Sequence, residues 1–133
     1  MRIDEVHELV VHARRMEHEV AAAAEMLSAA ATGDLRRVLE TVAHGARIRQ
    51  LLWDSRLPDT SYISTGRAHA IVAPTEGAAP PVNRSGLTDH LARLSGVYAD
   101  ALSKVNPELD PMTHELLTRG LSETGSASAH LAG

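Results

Sequence analysis

The sequence contains no cysteine and no phenylalanine, and its only aromatic residues are Trp53, Tyr62 and Tyr98. Without cysteine there is no disulfide, no thiolate zinc site and no thiol redox chemistry. Without phenylalanine the core has to be aliphatic, and alanine-rich faces that let helix axes approach favour helix on helix over a sheet. Apolar runs are short. None nears the roughly 20 residues that a membrane span needs, so no membrane association is expected. Positive charge is not gathered either: the net charge is −4, the arginines are scattered and stacking aromatics are few, which argues against a nucleic-acid groove. The opening stretch, Met1 to His7, turns acidic at once and lacks the apolar segment of a secretory signal, giving a cytoplasmic expectation. A chain of 133 residues is read as one domain spanning residues 1–133.

What the sequence does have is helical periodicity. Alternating steps of three and four from Ile3 pick out Ile3, Val6, Val10, Ala13, Glu17, Val20, Ala24 and Leu27, which predicts a helix over 3–28. Small residues from Ser28 to Gly33 end it, and Asp34 is the expected N-cap of a second helix over 34–54. The seam of that helix reads Leu35, Val38, Val42, Gly45, Arg49 and Leu52, with Leu39, Ala46 and Trp53 beside it. Residues 56–85 break the pattern with Pro58, Gly66, Pro74, Gly77, Pro80 and Pro81. Only Tyr62 to Val72 suggests a short extended piece, and a connection this long is a functional excursion or a crossover along a bundle.

A third helix is expected over 86–105, opened by Ser85 and Asp89, with Leu87, Leu91, Leu94, Tyr98, Ala101 and Val105 as its seam and His90 and Val97 flanking. The turn Asn106-Pro107-Glu108-Leu109 closes it, and Asp110-Pro111 opens a fourth helix over 110–130 as N-cap and first helical residue. The fourth seam is Thr113, Leu117, Gly120, Thr124, Ala127 and Leu131, with Glu115, Arg119 and Glu123 on the opposite face. Gly120 and Gly125 each cost about 1 kcal/mol in a helix interior. Either another backbone lies close there, or the helix end frays. Residues 126–133 are expected to be partly disordered, and the small-residue face suggests a homo-oligomer formed through helix four. The fold class is therefore all-α, a four-helix bundle with a long crossover between helices 2 and 3.

Eight histidines invite a metal reading, which spacing does not support. His7 and His12 stand at i and i+5, not the i and i+4 of a zinc-protease helix, and His7 and His18 lie about 16 Å apart. Asp4/His7, Glu8/His12 and Glu40/His44 have ligand spacing but lie off the apolar seams, as charge pairs on a solvated face do. No Gly-x-Ser-x-Gly elbow, phosphate loop or dinucleotide fingerprint occurs, so no catalytic residue is assigned. Asn83-Arg84-Ser85 matches a glycosylation sequon without a secretory route. In the long connection, Tyr62, Arg67 and His69 form the most plausible ligand loop.

The sharpest feature is one misfit in each of the first two seams. Glu17 and Arg49 carry opposite charge, and a hairpin folded near Ala31 puts Glu17 across from Ala46, within one turn of Arg49. A buried charge needs a partner. The expectation is a buried ion pair, Glu17 with Arg49; partial exposure of Glu17, or a metal site using Glu17 and His90, are the alternatives.

The stretch Asp110-Pro-Met-Thr-His-Glu-Leu-Leu-Thr-Arg-Gly-Leu-Ser-Glu, continuing to Ala129-His130-Leu131, resembles the last helix of Dps-type mini-ferritins, and two helical hairpins joined by a crossover is the ferritin-like layout. The resemblance implies a metal-binding or metal-oxidising protein. The Glu-x-x-His of dinuclear ferritin-like sites is absent from this chain, and Glu17 alone stands where an inward acid is expected. The leading expectation is a non-enzymatic binding or assembly module, self-associating and without cofactor. The alternative is a ferritin-like protein holding iron, manganese or zinc.

Overall fold

The computed structural model describes residues 1–57 and 81–133. Tyr62, Arg67 and His69, and the extended piece expected over 62–72, lie outside the described residues. Among the described residues four α-helices form the bundle: α1 Ile3–Ala30, α2 Gly33–Asp54, α3 Arg84–Leu102 and α4 Pro111–Ala132. α1 packs along α2 and α3 along α4 as two antiparallel hairpins, which meet through α1 on α3 and α2 on α4. Arg56, just past α2, bonds Thr113 at the start of α4, while Arg84 at the start of α3 bonds the carbonyl of Leu131 at the end of α4. α2 thus ends where α4 begins, and α3 begins where α4 ends. The end of α2 and the start of α3 therefore lie at opposite ends of the bundle. Among the described residues, no helix is long and apolar enough to cross a membrane.

The helix boundaries follow local chemistry more closely than the seams alone suggest. Thr32, not Asp34, occupies the N-cap of α2, and Asp34 sits in the first turn, where its charge still complements the helix dipole. Gly33 at φ 63° takes the left-handed conformation in which an L side chain is strained, allowing the chain to reverse through Ala31 and Thr32. α3 starts earlier than expected because Asn83 caps it, its side-chain oxygen accepting from the Gly86 amide at 2.7 Å. The asparagine of the apparent sequon is a helix cap. Asp110 caps α4 as expected, accepting from Thr113 N at 3.2 Å with Pro111 following. Residues 126–132, expected to be partly disordered, continue α4.

The core is aliphatic around one aromatic pair. Val10, Ala13, Val20, Ala24, Leu87, Leu91, Leu94 and Leu117 are fully enclosed. The seams of α1 and α3 run inward nearly as read, apart from Ile3, which is exposed. On α2 the buried line passes through Leu39, Val42, Ala43, Ala46, Arg49 and Trp53, so Leu35, Val38 and Leu52 are only partly covered. His7 corrects another expectation: placed on a solvated face by its spacing with Asp4, it is buried.

Gly120 is a point of close approach, although its neighbour is a ring and not a backbone. A Cβ there would lie 2.6 Å from Tyr98 Cε2. Gly125 has open space around it. The small face of α4 is thus filled by the chain's own bundle, with Thr113, Leu117, Gly120, Thr124 and Leu131 buried.

Candidate functional site

The two misfits meet in the middle of the bundle. Arg49 donates through Nε to Glu17 Oε2 at 2.6 Å and through Nη2 to Glu17 Oε1 at 3.1 Å. Glu17 is 0 % exposed and Arg49 4 %, so the pair is dry. Tyr98 of α3 donates its hydroxyl to Glu17 Oε2 at 2.5 Å and accepts from Trp53 Nε1 at 3.0 Å. The Trp53 and Tyr98 rings stack with centroids 6.0 Å apart. From its other end Arg49 donates through Nη1 to Glu123 Oε1 at 2.8 Å, and Arg119 donates through Nε to Glu123 Oε2 at 2.9 Å. One network therefore draws a side chain from each of the four helices.

Its members constrain each other's charge. Burial pushes the Glu17 carboxyl above the usual carboxylate range, while Arg49 and Tyr98 pull it back down in part. Burial works against the Arg49 guanidinium too, yet the hydrogen bond and the charge of Glu17 outweigh it and hold the cation above its ordinary value. Burial, with the neighbouring carboxylate, raises the Tyr98 hydroxyl well above 10, so Tyr98 stays a neutral donor. Both carboxylate oxygens of Glu17 accept strong bonds. A proton-abstracting role would require one to be released, and the arrangement reads as a device that sets helix register.

The residues weighed as metal ligands face different ways. Glu17 points at Arg49 and Tyr98, whereas His90 Nε2 lies 3.7 Å from Glu19 Oε2. Among the described residues no three His, Asp or Glu side chains are grouped as ligands would be. A metal at Glu17 would have to displace the guanidinium.

His90 is buried between α1 and α3, and no side chain among the described residues hydrogen-bonds its ring. Burial lowers its pKa below 6.5, against the opposing pull of Glu19, with Arg93 and His12 also disfavouring the charge. His12 is lowered for the same first reason. The unfolded chain then binds a proton more readily than the folded one. Their contribution to stability is complete above about 6.5 and is lost as pH falls from there through the lowered folded values. Melting temperature should drop as pH is lowered below about 6.5, and His90→Gln should flatten that drop relative to the parent chain. Superimposable pH profiles in thermal melts would exclude His90 as a source.

The network is not sealed on every side. Between α2 and α4 lies a cleft of about 660 Å³ into which Arg49 and Glu123 emerge. Its walls are aliphatic, formed by Val38, Val42, Ile48 and Ala127, and its polar lining adds Arg37, His44, Arg119 and His130. Gly45 opens the space beside Arg49, since a Cβ there would lie 3.0 Å from Arg49 Nη1.

Sequence reasoning placed Glu17 and Arg49 but missed Tyr98, Trp53, Glu123 and Arg119. Tyr98 was legible: an aromatic hydroxyl inside an apolar seam has to find a partner. Glu123 and Arg119, expected on the outer face of α4, reach around its edge towards α2. No protein-family model, no curated protein and no solved structure matches this chain.

Proposed function

We propose that the chain is a non-enzymatic binding module whose ligand seat is the cleft between α2 and α4. The observation that carries this reading is an aliphatic-walled cavity of about 660 Å³ with convergent charged groups on its floor, which is the size and character of small-molecule sites. Arg49 on that floor is held in place by both carboxylate oxygens of the buried Glu17, so its guanidinium is pre-organised. In NMR titrations of the labelled chain with the amphipathic anionic fluorophore anilinonaphthalene sulfonate, amide shifts should concentrate on α2 residues 38–49 and α4 residues 119–130. Ser126→Trp, which fills the cleft from an exposed position, should abolish them. Shifts elsewhere, or none, would remove the reading.

Self-association is the second part of the proposal, on a different surface from the α4 seam. Met1, Ile3, Leu51, Leu109 and Met112 are exposed, and all belong to the end where α1 and α4 begin and α2 finishes. Exposed apolar groups gathered at one end favour contact with another copy. Sedimentation giving only monomer at micromolar concentration would end that part. The competing ferritin-like reading rests on the shared layout of hairpins and crossover. It requires stoichiometric iron, manganese or zinc in protein purified without a histidine tag, and loss of that metal in Glu17→Ala.

A further inference from the structure

Within the cleft, charge is arranged unlike the rest of the chain. The protein as a whole carries −4, while the cleft lining holds Arg37, Arg49, Arg119, His44 and His130 with the single acid Glu123; Glu17 pairs with Arg49 from beneath the lining and Asp34 lies 3.9 Å from Arg37. Glu123 is itself the informative residue. Its carboxylate bridges two guanidiniums, Arg49 at 2.8 Å and Arg119 at 2.9 Å, while its side chain remains 38 % exposed. The floor of the cleft is thus already shaped for a carboxylate, and the one occupying it belongs to a side chain that can swing into solvent. Among the described residues the terminal nitrogens of Arg119 have no protein partner, leaving donors free for a bidentate acceptor. The walls above are Val38, Val42, Ile48 and Ala127, and no Phe, Tyr or Trp lines the cleft.

We propose that the cleft binds an aliphatic carboxylate, its chain lying against the apolar walls and its head displacing Glu123 from Arg119 and Arg49. This rests on the reading of the cleft as the ligand seat, and the experiment separates the two. Octanoate and 1-octanol present the same apolar body with and without the charge. Isothermal titration of the 133-residue chain should give octanoate binding at least about tenfold tighter than octanol, a ratio that shrinks as salt is raised. Arg119→Gln, at an exposed position, should reduce octanoate affinity about tenfold and leave octanol unchanged. Glu123→Gln should strengthen octanoate several-fold, because it removes the internal competitor.

Equal binding of octanoate and octanol, abolished by Ser126→Trp, would overturn the carboxylate proposal and leave the ligand seat standing. Binding of neither probe would overturn both. An Arg119→Gln chain that binds octanoate as the parent does, or a Glu123→Gln chain that binds it more weakly, would overturn the displacement of Glu123. Circular dichroism of each variant establishes that it is folded. Arg49 is left intact throughout, since the bundle depends on it.

Discussion

Arg49→Ala is expected to lower the unfolding free energy by about 3 to 5 kcal/mol, because it strands the Glu17 carboxylate in a dry interior with only the Tyr98 hydroxyl for company. Against a total of about 5 to 15 kcal/mol for a domain, that is a large fraction of the fold. Glu17→Ala should cost less, since Arg49 keeps Glu123 and a route to the cleft. The double variant should lose less than the sum of the two, and urea titrations that add within about 0.5 kcal/mol would argue against a coupled pair. The pH dependence supplies a second check. A carboxyl whose folded pKa is raised contributes stability that is present below the unfolded value and lost as pH rises through the folded one. Removing Arg49 removes a group that pulls Glu17 down, so the penalty of Arg49→Ala should shrink as pH falls through the raised folded value of Glu17 and the carboxyl becomes neutral.

Gly120→Val is expected to cost about 3 kcal/mol, at the upper end of the range for overpacking. The new Cβ would stand 2.6 Å from Tyr98 Cε2 and 2.9 Å from Cδ2. The ring has no easy escape, because its hydroxyl is bonded to Glu17 and Trp53 and its face stacks on the indole. Gly120→Ala meets the same atoms but gains about 1 kcal/mol of helix propensity, so its loss should be smaller. Gly125→Ala is the control. With open space around it, it should stabilise α4 by about 0.5 to 1 kcal/mol. Equal melting temperatures for the variants at 120 and 125 would show that Tyr98 is not confined.

The layout of the bundle was legible because it depends on periodic patterns and short-range stops. The apolar lines of α1 and α3, and the Asp110-Pro111 start of α4, needed no tertiary information. Hairpin geometry carried Glu17 and Arg49 to the same height because two residues, Ala31 and Thr32, join α1 to α2. What could not be read was rotation. α2 turns slightly from its apparent seam, since Trp53 and Ala43 go inward at the expense of Leu35 and Leu52. His7 was misplaced because a titratable residue beside an acid reads as solvated until the neighbouring helices are in position. The cleft was illegible for a related reason: Arg119 and Glu123 stand on the flank of α4, and only the approach of α2 makes that flank an inner wall. Gly45 left a trace in the sequence, a glycine four residues before a buried arginine, whose meaning depends on where the guanidinium folds.

Trp53 is the single tryptophan of the chain, and it sits where the first hairpin touches Tyr98 of the second. Its fluorescence therefore reports the joining of the hairpins and not the helicity of either. During refolding, circular dichroism should register helices as they form, whereas indole emission should wait for the halves to dock. Comparing the two signals in one stopped-flow experiment would time the assembly of this protein from its parts without any added label.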